Sequence, residues 1–245
     1  MVIKDDLPER RSVSAGREEG RALDRPPSEK MFNAPAVAVL VAVSMPLLYI
    51  VQGWLPFGGA EFAFRPASLV EGGWWPGLVT AMFVHLGWSH VAMNVAGAVA
   101  FGPPVARLMP GLPGAVGYLL FYIASGIVAA LGYGLIHLDS HGLAAGASGA
   151  VFGLTGAAIR LLGVRGGRVR PLGDRRVLGL AVILMGVNAA TGLIGFVPGL
   201  EGAIVAWEAH AFGFVFGFLM IGPWSRIFRT RSAFASRTDP GDPAV

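Results

Sequence analysis

The sequence contains no cysteine. That excludes a disulfide framework, a cysteine-ligated zinc or iron–sulfur centre, and a thiol nucleophile. Charge is scarce as well. Asp, Glu, Lys and Arg make up 14 % of the 245 residues, against about 25 % in an ordinary globular chain. What charge there is sits at the ends: of 34 charged residues, 14 fall within 1–33 and 6 within 226–245, leaving 14 for the 192 between. A nucleic-acid site needs Lys and Arg gathered on a folded face, so the net charge of +4 spread this way predicts no nucleic-acid partner. Hydrophobic residues, by contrast, reach 54 %, with 36 glycines and a mean hydropathy of +0.61. This is the composition of a membrane protein.

Charge-free runs at 31–60, 72–106, 108–138, 140–159, 177–200 and 209–225 approach or exceed the roughly 20 apolar residues that cross a bilayer core as helix. They predict an all-α, polytopic membrane protein with six spans: Pro35–Gln52, Trp88–Arg107, Ala115–Ile136, Ser148–Val164, Val177–Val197 and Ala203–Trp224. Pro46 should kink the first span, and Pro103, Pro104, Pro110 and Pro113 should break the chain between the second and third. The segments 1–33 and 225–245 read as disordered polar tails around a membrane domain at 34–224. The first is too long and too acidic for the n-region of a secretory signal. The long connection Gly53–Gly87 carries Trp54, Phe57, Phe62, Phe64, Trp74 and Trp75, which suits an interfacial loop.

Lys and Arg set orientation. The first tail holds 7, the second-to-third connection Arg107, the fourth-to-fifth loop six (Arg160, Arg165, Arg168, Arg170, Arg175, Arg176) and the last tail four, so 18 of 19 lie on one side of six spans. Only Arg65 lies on the other. Both termini are therefore expected in the cytoplasm, and the Arg-rich 165–176 loop is expected to touch anionic membrane lipid.

Ionisable groups at membrane depth are costly and usually functional. The candidates here are His85, His90 with Asn94, Ser148, and Glu208 with His210, with Asn188 and Thr191 as a weaker pair that reads as helix-packing groups. The topology puts most of them at similar depth in the outer half of the bilayer, His210 about 10 Å down at 1.5 Å per residue. Gly149 to Gly153 and Gly213 to Gly217 are small-xxx-small patterns that let helix backbones approach, and His210 shares a face with Gly213. If the fourth and sixth spans pack on these faces, Ser148 meets His210, a nucleophile with its base. His90 and Asn94, at i and i+4, offer two donors on one face, as an oxyanion site needs. Glu208, two residues from His210, points elsewhere and is assigned to a loop contact. His137, Asp139 and His141 have metal-binding side chains, but their spacing is loose and their loop solvated, so no metal and no cofactor are expected.

Gly146-Ala147-Ser148-Gly149, His85-x4-His90-x3-Asn94 and Ala209-His210-x2-Gly213-x3-Gly217 resemble the three signatures of rhomboid intramembrane serine proteases, in the family's order. The resemblance covers roughly residues 34–224. It implies Ser148 as nucleophile and His210 as general base of a dyad with no acidic third member. It further implies His90, Asn94 and the Ser148 backbone N–H as oxyanion donors. His85 would be structural, Gly146 would open the turn, and Gly213 and Gly217 would be packing residues. The implied substrates are single-span membrane proteins cut near the outer ends of their helices, and the implied location is a bacterial inner membrane. Three positions depart from the family pattern. Phe152 stands where tyrosine is common, Trp75 is followed by Pro76 instead of arginine, and Ala106 replaces a usual glutamate.

Two other readings compete. A catalytically silent rhomboid-like protein that binds membrane helices would ordinarily lack Ser148 or His210. A proton-coupled transporter would spread polar residues through the bilayer, and here the cytoplasmic halves are nearly free of them. Substrate identity and oligomeric state leave no mark in the sequence.

Overall fold

The computed structural model describes residues 34–73, 75–164, 167–195 and 205–228. The expected tail at 1–33, the part of the expected 225–245 tail beyond 228, Trp74, residues 165–166 and residues 196–204 lie outside the described residues. Six long helices carry the fold: α1 (Ala36–Gln52), α2 (Trp88–Arg107), α3 (Gly111–Ile136), α4 (Ser148–Ile159), α5 (Arg175–Ile194) and α6 (Trp207–Phe228). Among the described residues there is no strand, only an isolated bridge between Phe64 and Ala144. The protein is all-α.

Helices α3, α5 and α6 are each long and apolar enough to cross a membrane alone. The segment Gly77–Phe83 and α2 pass that test only together, as a pair bent by 97°. α1 and α4 are shorter apolar helices of 17 and 12 residues. Large apolar side chains point outward all round, among them Leu40, Leu47, Val99, Leu120, Val182 and Ile183. A water-soluble chain could not expose these surfaces. The chain is a multi-pass integral membrane protein.

Boundaries moved where local chemistry outranked apolarity. α3 begins at Gly111, with Pro110 as its N-cap residue and Pro113 in its first turn, since proline is tolerated where the N–H has no partner anyway. Pro103 and Pro104 lie inside the end of α2 and do not break it; only residues 108–110 separate α2 from α3. α4 stops at Ile159, five residues early, because Arg160 turns inward. Its Nε and Nη2 donate to the Arg170 carbonyl at 3.0 and 2.7 Å, and its Nη1 donates to the Phe218 carbonyl at 2.6 Å. Arg160 is thus a buried bolt, and not the loop charge the sequence suggested. α5 starts on Asp174, whose carboxylate accepts from the Arg176 and Val177 N–H groups. α6 runs past Trp224 to Phe228, with Ser225 buried.

α4 is the central helix. It packs most extensively on α6 and is flanked by α2 and α3. Glycine makes this possible. A Cβ on Gly213 would overlap the Gly149 carbonyl oxygen, one on Gly217 the Gly153 carbonyl oxygen, and one on Gly156 the Phe214 carbonyl oxygen. Backbone therefore lies directly on backbone. α5 contacts the rest sparsely, with Val177 and Asn188 its only buried residues. The loop before α2 is anchored rather than interfacial throughout. Phe64 is buried and exchanges backbone hydrogen bonds with Ala144 at 2.9 and 2.8 Å, while Trp54, Phe57 and Trp75 are exposed.

Candidate active site

The site grows from one turn. Gly146 has φ +127°, which side chains disfavour, and a Cβ there would lie 2.6 Å from Nε2 of His90. Glycine meets both demands. Its N–H donates to the Ala81 carbonyl at 2.8 Å, and the chain then enters α4 with Ser148 as the first helical residue. Leading N–H groups of a helix have no intrahelical partner and carry the positive end of its dipole. Ser148 therefore sits where a negatively charged oxygen would be favoured.

His210 reaches Ser148 from α6, Nε2 to Oγ at 2.8 Å. Both residues are half-buried. Phe152, one turn along α4, stacks flat on the imidazole with centroids 4.3 Å apart and planes at 5°. The aromatic ring alone suffices for this contact. Gly149 admits the α3 helix at Ala129 and the start of α6 at Ala209, which brings the two helices close enough for the pair to form.

The other ring nitrogen also has a partner. Nδ1 of His210 lies 2.8 Å from Oδ1 of Asn188 on α5. Nδ2 of Asn188 donates to the Trp207 carbonyl at 2.9 Å. Asn188 thus links α5 to α6, as a helix-packing group would, and also meets His210. Thr191 does not, donating instead to the Val187 carbonyl one turn back at 2.8 Å.

On the opposite wall, the Leu86 N–H points at Nδ1 of His90 at 3.4 Å. That leaves Nε2 as the proton-bearing nitrogen, and this edge of the ring lies over Gly146. Asn94 is buried and gives one amide hydrogen to the His90 carbonyl at 3.0 Å; its second hydrogen is free to meet a ligand. His85 is buried edge-on to His90, with centroids 5.3 Å apart. Its backbone is clamped both ways by Gln52 at the end of α1. Gln52 Nε2 donates to the His85 carbonyl at 2.8 Å, and the His85 N–H donates to Gln52 Oε1 at 2.8 Å. Sequence reading missed Gln52. A lone polar residue ending an apolar helix was its only signal.

Glu208 contacts His137 at 3.3 Å, tying the start of α6 to the end of α3, and His141 lies 3.6 Å from Glu71. These histidines are drawn to separate carboxylates.

Ser148 of α4 and His210 of α6 are thus in contact, and His90 of α2 lies over the Gly146 turn that leads into Ser148. The rhomboid-domain family model matches residues 71–226. The chain belongs to the rhomboid family. Among its relatives, YdcA of Bacillus subtilis (strain 168) is 28 % identical over 157 residues, covering 62 % of this chain and 68 % of that protein. Rhomboid protease GluP of the same organism is 31 % identical over 152 residues, 60 % of this chain and 28 % of GluP. Rhomboid-like protein 11, chloroplastic, of Arabidopsis thaliana is 32 % identical over 151 residues, 60 % of this chain and 51 % of that protein. The family match spans the positions of His85, His90, Asn94, Ser148 and His210.

Proposed function

We propose that this rhomboid is a membrane-embedded serine endopeptidase that cuts single-span membrane proteins near the outer ends of their transmembrane helices. The 2.8 Å contact between Ser148 Oγ and His210 Nε2 carries the reading. In the proposed reaction the Ser148 hydroxyl gives its proton to His210 Nε2 as Oγ attacks the scissile carbonyl. The oxyanion is held by the Ser148 N–H, His90 Nε2–H and the free Asn94 amide hydrogen. His210 then passes the proton to the departing amine. Water repeats the cycle in reverse, releasing the acyl group from Ser148.

The chain crosses the membrane six times in this reading, α1 and α4 included, with both termini cytoplasmic and the site opening to the outer face of a bacterial inner membrane. The distribution of 18 of 19 basic residues supports that orientation. α4 is about 18 Å long at 1.5 Å per residue. Its outer end therefore starts below the surface, at the depth where a substrate helix ends. No metal or cofactor takes part.

Incubating the purified protein in detergent with a panel of single-span substrates tests this. The wild type should yield two fragments and Ser148→Ala none. Cleavage by Ser148→Ala at the wild-type rate would overturn the nucleophile. Binding without cleavage by the wild type would instead favour a non-catalytic helix-binding rhomboid.

A further inference from the structure

Asn188 is the odd residue of α5. That helix shows lipid Val182, Ile183, Val187 and Leu193, yet one of its two buried side chains is an amide. A buried polar group at membrane depth needs its partners, and Asn188 has two with opposite demands. The Trp207 carbonyl can only accept, so the atom facing it at 2.9 Å is Nδ2. Oδ1 therefore faces His210. An amide oxygen also only accepts, so Nδ1 of His210 must carry the hydrogen. Nε2 is left with its lone pair toward Ser148 Oγ, 2.8 Å away. Reversing the tautomer would set two lone pairs against each other at Asn188. Flipping the amide to relieve that would set its oxygen against the Trp207 carbonyl. One arrangement satisfies all three contacts.

We infer that Asn188 is a positioning residue: its side-chain oxygen holds His210 in the tautomer that can take the Ser148 proton, and steadies the imidazolium that results. The inference rests on the protease reading above. During attack the Oγ proton moves to Nε2, the Nδ1–H remains on the ring, and the positive charge is shared with the amide dipole of Asn188. The acyl bond forms at Oγ as the peptide C–N bond gives way, and the Nε2 proton leaves with the amine. Asn188 touches no reacting atom. Its oxygen acts only through His210, and its nitrogen anchors it to the first turn of α6.

Two variants separate this role from simple helix packing. Asn188→Leu removes both hydrogen bonds and keeps the volume. Asn188→Asp keeps an acceptor for His210 but loses the donor to Trp207. Positioning predicts that Asn188→Leu lowers kcat roughly 10- to 100-fold, the loss of one hydrogen bond to a charged group, with KM unchanged. Asn188→Asp should retain clearly more activity. A packing role alone predicts equal losses in both, tracking their thermal stability. Histidine ¹⁵N spectra of the full chain in micelles provide a readout that needs no substrate. Wild-type His210 should be protonated at Nδ1 and bare at Nε2, and Asn188→Leu should show a mixture. A wild-type His210 protonated at Nε2, or equal kcat losses in the two variants, would overturn the inference. Absence of cleavage by wild type would sink the protease reading, while the spectra would still decide the tautomer.

Discussion

His210 is gripped on three sides, by Ser148 at Nε2, Asn188 at Nδ1 and the Phe152 ring on its face. Each grip has its own expected consequence. Phe152→Tyr keeps the stacked ring and should leave cleavage nearly unchanged. Phe152→Ala removes a contact of about 0.5–1.5 kcal/mol, so kcat should fall roughly 2- to 10-fold. His90→Ala and Asn94→Ala each delete one of the proposed oxyanion donors, a loss of about 10²–10³ in rate, and should leave weak, measurable cleavage in a quantitative gel assay. A protonated imidazole has no lone pair for the Ser148 proton, so activity should decline on acidification. Of these contacts, the serine–histidine meeting was legible in the sequence because glycine spacing and depth both pointed to it. Asn188 was legible only as one of a weaker pair of polar groups at membrane depth. Its partner lies 22 residues away in sequence, and a single amide on an apolar helix looks like packing glue.

At the scale of helices, the backbone contact between α4 and α6 sets the site. Gly213→Ala and Gly217→Ala would each drive a methyl into a carbonyl oxygen of α4. Backbone cannot swing aside as a side chain can, so the cost should reach or exceed the usual 1–3 kcal/mol of overpacking, on the order seen in tight cores. Both variants should melt earlier in a detergent thermal-shift assay and lose activity with it. A Cβ at Gly179 or Gly186 on α5 would meet nothing within 4 Å, and alanine removes the helix penalty of glycine, so Gly179→Ala and Gly186→Ala should melt no earlier than wild type. The periodic glycines made this interface readable in advance, whereas helix ends were read less well. Apolarity runs on through Leu161 and Leu162, and nothing in a charge count says that Arg160 folds inward to three carbonyl bonds. At the start of α5, Asp174 lies in the loop outside the membrane. The hydrogen bond from Arg170, then those from the helix N–H groups, hold its carboxyl below the usual carboxylate range. A depressed carboxylate stabilises the fold above its unfolded value, and that support is lost as pH falls through the folded one. Asp174→Ala should therefore lower the melting temperature at neutral pH and make no difference in strong acid.

Over the whole molecule, topology decides whether the site can meet its substrates. The absence of cysteine makes a clean test available, since any introduced thiol is the only one. His141→Cys, on an exposed position of the connection after α3, should react with a membrane-impermeant maleimide on intact cells. Ser236→Cys, in the C-terminal tail, should react only after permeabilisation. The reverse pattern would place Ser148 near the wrong face. The apolar runs made the membrane class and the all-α architecture legible. The anchoring of the first loop by Phe64 was not, because an aromatic that pairs with Ala144 looks in sequence like one that floats at an interface.

The central claim is that His210 turns Ser148 into a nucleophile, and covalent labelling reads this without any choice of substrate. The purified protein is treated with a serine-directed fluorophosphonate and the adduct located by peptide mass spectrometry. The account predicts a single adduct on Ser148 in the wild type, and none in Ser148→Ala or His210→Ala under the same conditions, because an unactivated hydroxyl reacts poorly. Equal labelling of Ser148 in wild type and His210→Ala would contradict it.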